Sequence, residues 1–185
     1  MTTHAVLIPK QISAMNVDAW NRSCVSASDV DNGNLVILSG KSSTAGESEV
    51  WTGIVPSTSN GLTGVWMAYE PEVVVTVSGS YEFKGIDPDP RNFYNKATKV
   101  FSIFKPKIGD VVEITADGLA GTYIAGTTTH VNATNSTGGL KPVWGNSQTS
   151  SVFSMKLLST GYVSIGSGAI DNQRVTTYIF EVVGE

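Results

Sequence analysis

Short runs of β-branched and aromatic residues, separated by Gly, Pro, Asn, Asp and Ser, make up most of the chain. Runs of this length and composition, bounded by turn-forming residues, are typical of β-strands. The predicted strands are 50–55, 65–69, 73–77, 81–83, 111–115, 121–125, 152–158, 162–165 and 175–183. Many short strands at close spacing predict a mainly β fold, either a compact β-sandwich or a small β-barrel.

The strongest local signal lies between residues 24 and 38. Two β-prone runs, 24–30 and 35–38, flank a turn sequence that contains Asn32 and Gly33. Asn and Gly accept the positive φ angles that a type I′ turn requires. The pattern therefore predicts a β-hairpin over 24–38.

The hydrophobic pattern changes period after Asp89. Asp89 can cap a first helical turn, Pro90 suits the first helical position, and Pro106 prevents continuation. Apolar residues between the two prolines follow one another at spacings that place them on one face of a helix. They are Phe93, Ala97, Val100, Phe101 and Phe104. We predict one short amphipathic helix over about 90–104, with a strand over 100–104 as the competing interpretation.

The length of 185 residues fits a single β domain over 1–185. Residues 1–10 form a predicted N-terminal arm, because the apolar run that ends at Ile8 is stopped by Pro9. The change of pattern over 85–108 marks a candidate sub-module boundary.

Composition favours a folded protein and disfavours polyanionic partners. Hydrophobic residues make up 41% of the chain and charged residues 15%, which are proportions of a globular domain. The net charge is -4 and the basic residues are scattered, so neither nucleic acid nor a membrane surface is an expected partner. The N-terminus does not have the pattern of a signal peptide, so we expect synthesis in the cytoplasm.

Residues suited to catalysis are scarce. The two histidines are His4, in the predicted arm, and His130, in a polar stretch over 126–150. A hydrolytic triad needs a histidine base beside a nucleophile, and no Gly-x-Ser-x-Gly motif is present. Cys24 is the single cysteine, which excludes an intramolecular disulfide. We therefore expect no catalytic residue, no cofactor and a non-enzymatic role.

Two acidic clusters invite comparison with metal sites. The sequence from Asp29 to Gly33 is similar to the start of a calcium loop, but Gly40 stands where the bidentate Glu belongs. Asp87 and Asp89 are explained by a proline-bounded turn and by helix capping. We expect no metal site in either cluster.

Tryptophans supply the candidates for binding. Trp51 and Trp66 lie inside strand patterns, which favours the core. Trp144 lies in the polar stretch over 126–150 and is the candidate for an exposed anchor. Such an anchor would suit a protein interface or a carbohydrate equally well.

Several segments of the chain resemble uncharacterised structural proteins of tailed phages. The segments are 4–10 (HAVLIPK), 12–16 (ISAMN), 18–21 (DAWN), 85–89 (GIDPD) and 162–166 (YVSIG) continuing through 183. Such proteins are often associated with the capsid. The resemblance implies a decoration or cement protein that binds the outer surface of the head and stabilises the capsid. No residue in these segments carries a role over from the family.

The resemblance also implies partners and a location. The partners would be the major capsid protein and further copies of the chain, with a homotrimer as one option, on the capsid surface of the virion. A cement protein can add an extended terminus to a neighbour's sheet. Ala5, Val6, Leu7 and Ile8 are therefore candidate interface residues together with Trp144, although an ordinary first strand within the chain explains the run equally well. The alternative function is a tail- or fibre-associated module that binds a host-surface glycan.

Overall fold

A computed structural model describes residues 3–43, 48–57, 59, 61–78, 81–87, 89–133, 140–149, 152–165 and 173–185. Across these residues the fold is mainly β, as the sequence predicts. The strands are β1 Leu7–Gln11, β2 Asn21–Ser26, β3 Leu35–Lys41, β4 Val50–Ile54, β5 Trp66–Ala68, β6 Val73–Ser78, β7 Tyr81–Ile86, β8 Val100–Phe104, β9 Val111–Thr115, β10 His130–Asn132, β11 Val143–Gly145, β12 Ser154–Ile165 and β13 Gln173–Gly184. Helical structure within the described ranges consists of short 3₁₀ turns at Ser13–Met15, Asp18–Trp20, Pro90–Asn92 and Ala116–Gly118.

Six strands form an antiparallel sheet in the order β1-β9-β13-β12-β10-β11. Its centre is a ribbon of two twelve-residue strands, β12 and β13, which pair along their whole length. β9 joins β13 only over 177–181, and β10 joins β12 only over 154–156. The far part of the ribbon, 158–165 with 173–176, therefore extends beyond the neighbouring strands. β6 and β7 form a separate two-stranded sheet.

Five strands close into a barrel in the order β2-β4-β3-β5-β8. β2 runs parallel to β4, and the other neighbouring pairs are antiparallel. Alternate side chains of these strands pack together inside the barrel: Cys24, Val36, Trp66, Ala68, Phe101 and Ile103. Intervening positions join the core of the six-stranded sheet: Leu35, Ile37, Met67 and Phe104. The barrel and the sheet therefore pack against each other through one hydrophobic cluster.

The predicted hairpin over 24–38 is wrong. β4 lies between β2 and β3, so these two strands do not pair. A turn does form at Asn32 and Gly33, where Gly33 has a φ of +87°. However, the Gly33 N–H donates to the carbonyl of Ala68, and the Asn32 side chain bonds both backbone groups of Glu70. Pairing with distant segments therefore replaces the local hairpin.

The predicted helix over 90–104 is also wrong. Asp89 accepts a capping hydrogen bond as expected, but it caps a single 3₁₀ turn, Pro90–Asn92. Thr98 then has a φ of +64°, which is incompatible with a right-handed helix. Val100–Phe104 forms β8, the competing interpretation, and closes the barrel between β2 and β5. The pairing of β8 on both sides outweighs the helical spacing of its apolar residues.

Three strand predictions in the C-terminal half also change. Residues 121–125 form no strand, because the Thr128 hydroxyl bonds both backbone groups of Ile124 and closes a turn there. The strands predicted over 152–158 and 162–165 are one strand, β12, because its ladder with β13 is continuous apart from local bulges. The polar stretch 126–150 contains β10 and β11, and its residues 134–139 and 150 lie outside the described part of the chain.

Candidate functional site

The candidate interface residues near the N-terminus belong to the chain's own sheet. Ala5, Val6 and Leu7 are at most 5% exposed. The Val6 N–H donates to the Thr115 hydroxyl, and the Val6 carbonyl accepts from the Thr115 N–H. Leu7 and Ile8 continue into β1, which pairs with β9. Burial within the chain makes three of these side chains inaccessible to a partner and leaves Ile8 half-buried.

His4 attaches the N-terminus to the turn before β3. Its Nδ1 lies 2.7 Å from a carboxylate oxygen of Asp31, and its ring stacks on Tyr94 with centroids 4.6 Å apart. Asp31 is buried and also accepts from the Ala5 N–H. Asp31, which belongs to the sequence that is similar to a calcium loop, therefore binds the N-terminal segment of the same chain. Within the described ranges, no group of three His, Cys, Asp or Glu side chains is placed to hold a metal ion.

Trp144 lies on β11 opposite Val131 and is half-buried. Its ring packs against three aromatic rings, with centroids 5.1 Å from Tyr123, 5.0 Å from Tyr178 and 5.4 Å from Phe180. Tilted and edge-on contacts at these distances are favourable for aromatic pairs. The indole is therefore fixed within a cluster, and less of its surface is open to a ligand than the polar surroundings in the sequence suggest.

The Trp144 cluster continues onto the ribbon of β12 and β13. Tyr178 lies opposite Thr160, so Tyr162, two residues further along β12, points to the same side and is a diagonal neighbour of Tyr178. Tyr162 is 57% exposed, and the guanidinium carbon of Arg174 lies 3.9 Å from its ring centroid. We call this cluster the aromatic face; its members are Tyr123, Trp144, Tyr162, Arg174 and Tyr178. Tyr178 is buried in the hydrophobic core and supports the rings above it, so the accessible part of the face is formed by the other four.

The aromatic face carries one charge, on Arg174. Burial raises the pKa of Tyr178, and the neighbouring Tyr123 and Tyr162 raise it further, so its hydroxyl stays protonated at neutral pH. The face therefore offers aromatic surface, tyrosine hydroxyls and a guanidinium. Tyr, Trp and Arg are the residues most enriched at the energetic centres of protein interfaces.

Sequence reasoning identified Trp144 and missed the other members of the aromatic face. Tyr162 and Tyr178 are separated by sixteen positions in the sequence, and only the register of β12 with β13 makes them neighbours. Predicting that the last two strands, β12 and β13, pair as a hairpin would have brought the two tyrosines close together. Register depends on both strands and on the turn between them, so no local pattern supplies it.

Comparisons with known proteins add no relative, because no family model, no curated protein and no solved structure matches the chain. None of the helical turns in the described part of the chain is long and apolar enough to cross a membrane. Functional inference therefore depends on the residues of the chain itself.

Proposed function

We propose that the chain is a non-enzymatic structural protein of a tailed-phage virion, a decoration or cement protein that binds the outer surface of the head and stabilises the capsid. The observation that carries this proposal is the aromatic face on the ribbon of β12 and β13. Its residue types are those that dominate binding energy in protein interfaces. The segments that resemble structural proteins of tailed phages are the reason for proposing that the partner surface belongs to a phage particle.

The ribbon also offers a strand edge beside the aromatic face. Residues 158–165 pair with β13 on one side and with no described strand on the other. A neighbouring subunit can add a strand to such an edge while its side chains pack against Tyr162. The major capsid protein and further copies of the chain are the proposed partners. A lattice repeats each contact many times, so a modest affinity per contact is sufficient.

The glycan-binding alternative has less support from the same residues. A sugar ring needs an open aromatic surface on which to stack. Trp144 contacts three other rings, and the ring of Tyr162 is approached by Arg174. The contacts of these rings therefore favour a protein partner.

Copy number in the virion tests the proposal. Quantitative mass spectrometry of purified particles should find the chain in an amount that approaches that of the major capsid protein. A few copies per particle would favour the tail- or fibre-associated module instead. Absence from the particle would overturn the virion role.

Substitutions then test the aromatic face. Tyr162→Ala combined with Arg174→Ala should reduce retention on washed heads by about tenfold or more, because hot-spot residues contribute at this level. The variant should keep its unfolding temperature, since Tyr162 is largely exposed. Val100→Ala, which truncates an exposed residue of the barrel strand β8, is the matched control and should be retained normally. Unchanged retention of the double variant would contradict a contact through this face.

A further inference from the structure

One end of the barrel carries cations and indoles that are separate from the aromatic face. At this end β2, β4 and β5 begin while β3 and β8 end. Arg22 precedes the interior residue Cys24 by two positions, and Trp51 likewise precedes Gly53, which faces Cys24. Alternation along a strand therefore directs both side chains to the interior side of the barrel wall. We call this cluster the barrel mouth; its members are Arg22, Trp51, Trp66 and Lys105.

The Arg22 guanidinium is held between two indoles. Its central carbon lies 4.4 Å from the ring centroid of Trp51 and 4.8 Å from that of Trp66. Trp66 is buried in the barrel interior, so the cation sits on a fixed surface. Stacking uses the flat faces of a guanidinium and leaves the N–H groups at its edge for acceptors in its plane. The ion pairs among the described residues do not include Arg22.

Lys105 is a second cation at the same indole. Its Nζ lies 5.9 Å from the ring centroid of Trp66, and it too takes part in no ion pair among the residues that the structure describes. Burial lowers the pKa of Lys105, and the nearby Lys107 and Arg22 lower it further, although Glu185 acts in the opposite direction. Two partly buried like charges repel each other, and a bound anion would relieve this repulsion.

The cations around the barrel mouth are already neutralised. Lys41, whose Nζ lies 4.7 Å from the Trp51 ring centroid, pairs with Glu49 at 2.9 Å. Lys107 pairs with Glu185 at 2.9 Å. The mouth therefore combines two positive charges with a rim that contains carboxylates. Because these rim pairs are neutral, the positive charge is confined to the mouth, and the chain as a whole has a net charge of -4. The mouth therefore suits one compact anionic group and offers no extended positive surface for a polyanion.

We propose that the barrel mouth binds the carboxylate of a single Glu or Asp side chain presented by a protein partner. Arg22 donates two parallel N–H bonds to the carboxylate, and Lys105 provides the second positive charge. A guanidinium matches the planar carboxylate in this bidentate geometry, which adds specificity to the charge attraction. The inference extends the proposed function by naming the side chain that a partner contributes.

Tryptophan fluorescence of the full chain tests the proposal, because Trp51 and Trp66 contact the binding cation. The probe is an acetylated and amidated Gly/Ser pentapeptide with one central Glu, and the matched probe carries Gln. We expect saturable binding of the Glu peptide alone. Arg22→Gln and Lys105→Gln should each weaken binding about tenfold through the loss of a charge-assisted contact. Lys99→Gln removes a charge just before β8, at the opposite end of the barrel, and should leave binding unchanged.

Several results would overturn the proposal. These are an equal response to the Gln peptide, the absence of a saturable response, and unchanged binding in the folded variants. Tighter binding of inorganic phosphate or of N-acetylneuraminate in the same assay would also overturn it. The preferred ligand would then be a phosphoryl group or an acidic sugar and not a protein carboxylate. The Lys105 variant keeps the test informative if Arg22→Gln does not fold.

Glu47 provides a control within the chain, because it lies in sequence between β3 and β4, although outside the described residues. If Glu47→Gln binds the Glu peptide and the native chain does not, the chain fills its own barrel mouth and the proposal is overturned.

Peptide binding by a chain that is absent from virions would overturn only the proposed function. Abundant copies on virions without any peptide binding would overturn only this inference.

Discussion

Gly53 of β4 packs closely against Cys24 of β2 inside the barrel. A Cβ atom added to Gly53 would lie 2.5 Å from the Cys24 Sγ. Cys24 is fully buried, and burial raises the pKa of its thiol to about 12, so the sulfur packs as a neutral atom. Glycine is therefore required at position 53 by the approach of a neighbouring side chain.

Gly53→Ala should lower the free energy of unfolding by about 1–3 kcal/mol, the usual cost of overpacking a core. Urea denaturation measures this cost. Gly85→Ala is the matched control, because Gly85 is an exposed strand position where a Cβ meets no atom of the described residues within 4 Å. In a Cys24→Ala background the clash with sulfur is absent, so Gly53→Ala should cost less there. Equal costs in the two backgrounds would contradict the contact.

At the scale of elements, the sequence located most strands but not their partners. The predicted strands over 50–55 and 111–115 correspond to β4 and β9, because their apolar residues have no competing periodicity. The predictions over 90–104 and 24–38 failed because both local patterns fit more than one structure. Residues 100–104 form a strand because β8 closes the barrel, and β2 and β3 do not pair because β4 lies between them.

The candidate site was predicted only in part for the same reason. An aromatic residue in a polar stretch was enough to single out Trp144. Trp144 contacts Tyr178, and Tyr162 lies beside Tyr178 only through the long-range register of β12 with β13. Arg22 of the barrel mouth meets Trp66 only because the barrel closes. Sequence patterns report which side of a strand a residue occupies, whereas a site made by several strands depends on their arrangement.

The burial of β1 leads to a prediction about its role. Leu7 is buried against the core, so Leu7→Ala should lower the free energy of unfolding by about 2–5 kcal/mol. Ile8→Ala truncates the adjacent, half-buried residue and should cost clearly less. Thermal denaturation of the isolated chain compares the two variants. If Leu7→Ala left stability unchanged and weakened only assembly on particles, the segment would instead act as a donor strand for a neighbour.

At the scale of the whole molecule, the barrel and the six-stranded sheet share a hydrophobic cluster. Met67 and Phe104 of the barrel lie in the same cluster as Val112 and Phe180 of the sheet. Loss of either part would expose the apolar side chains of the other. We therefore expect the two parts to unfold as one cooperative unit.

Met67→Ala tests this cooperativity, because Met67 is fully buried in the shared cluster. The variant should lose about 2–5 kcal/mol of stability. Its transitions by far-ultraviolet circular dichroism and by tryptophan fluorescence should shift together and remain coincident. Met15→Ala removes the same side chain at a position that is 62% exposed and should leave both transitions in place. Separate transitions would contradict a shared core, and with it the idea that one rigid body presents the aromatic face and the barrel mouth to the same partner lattice.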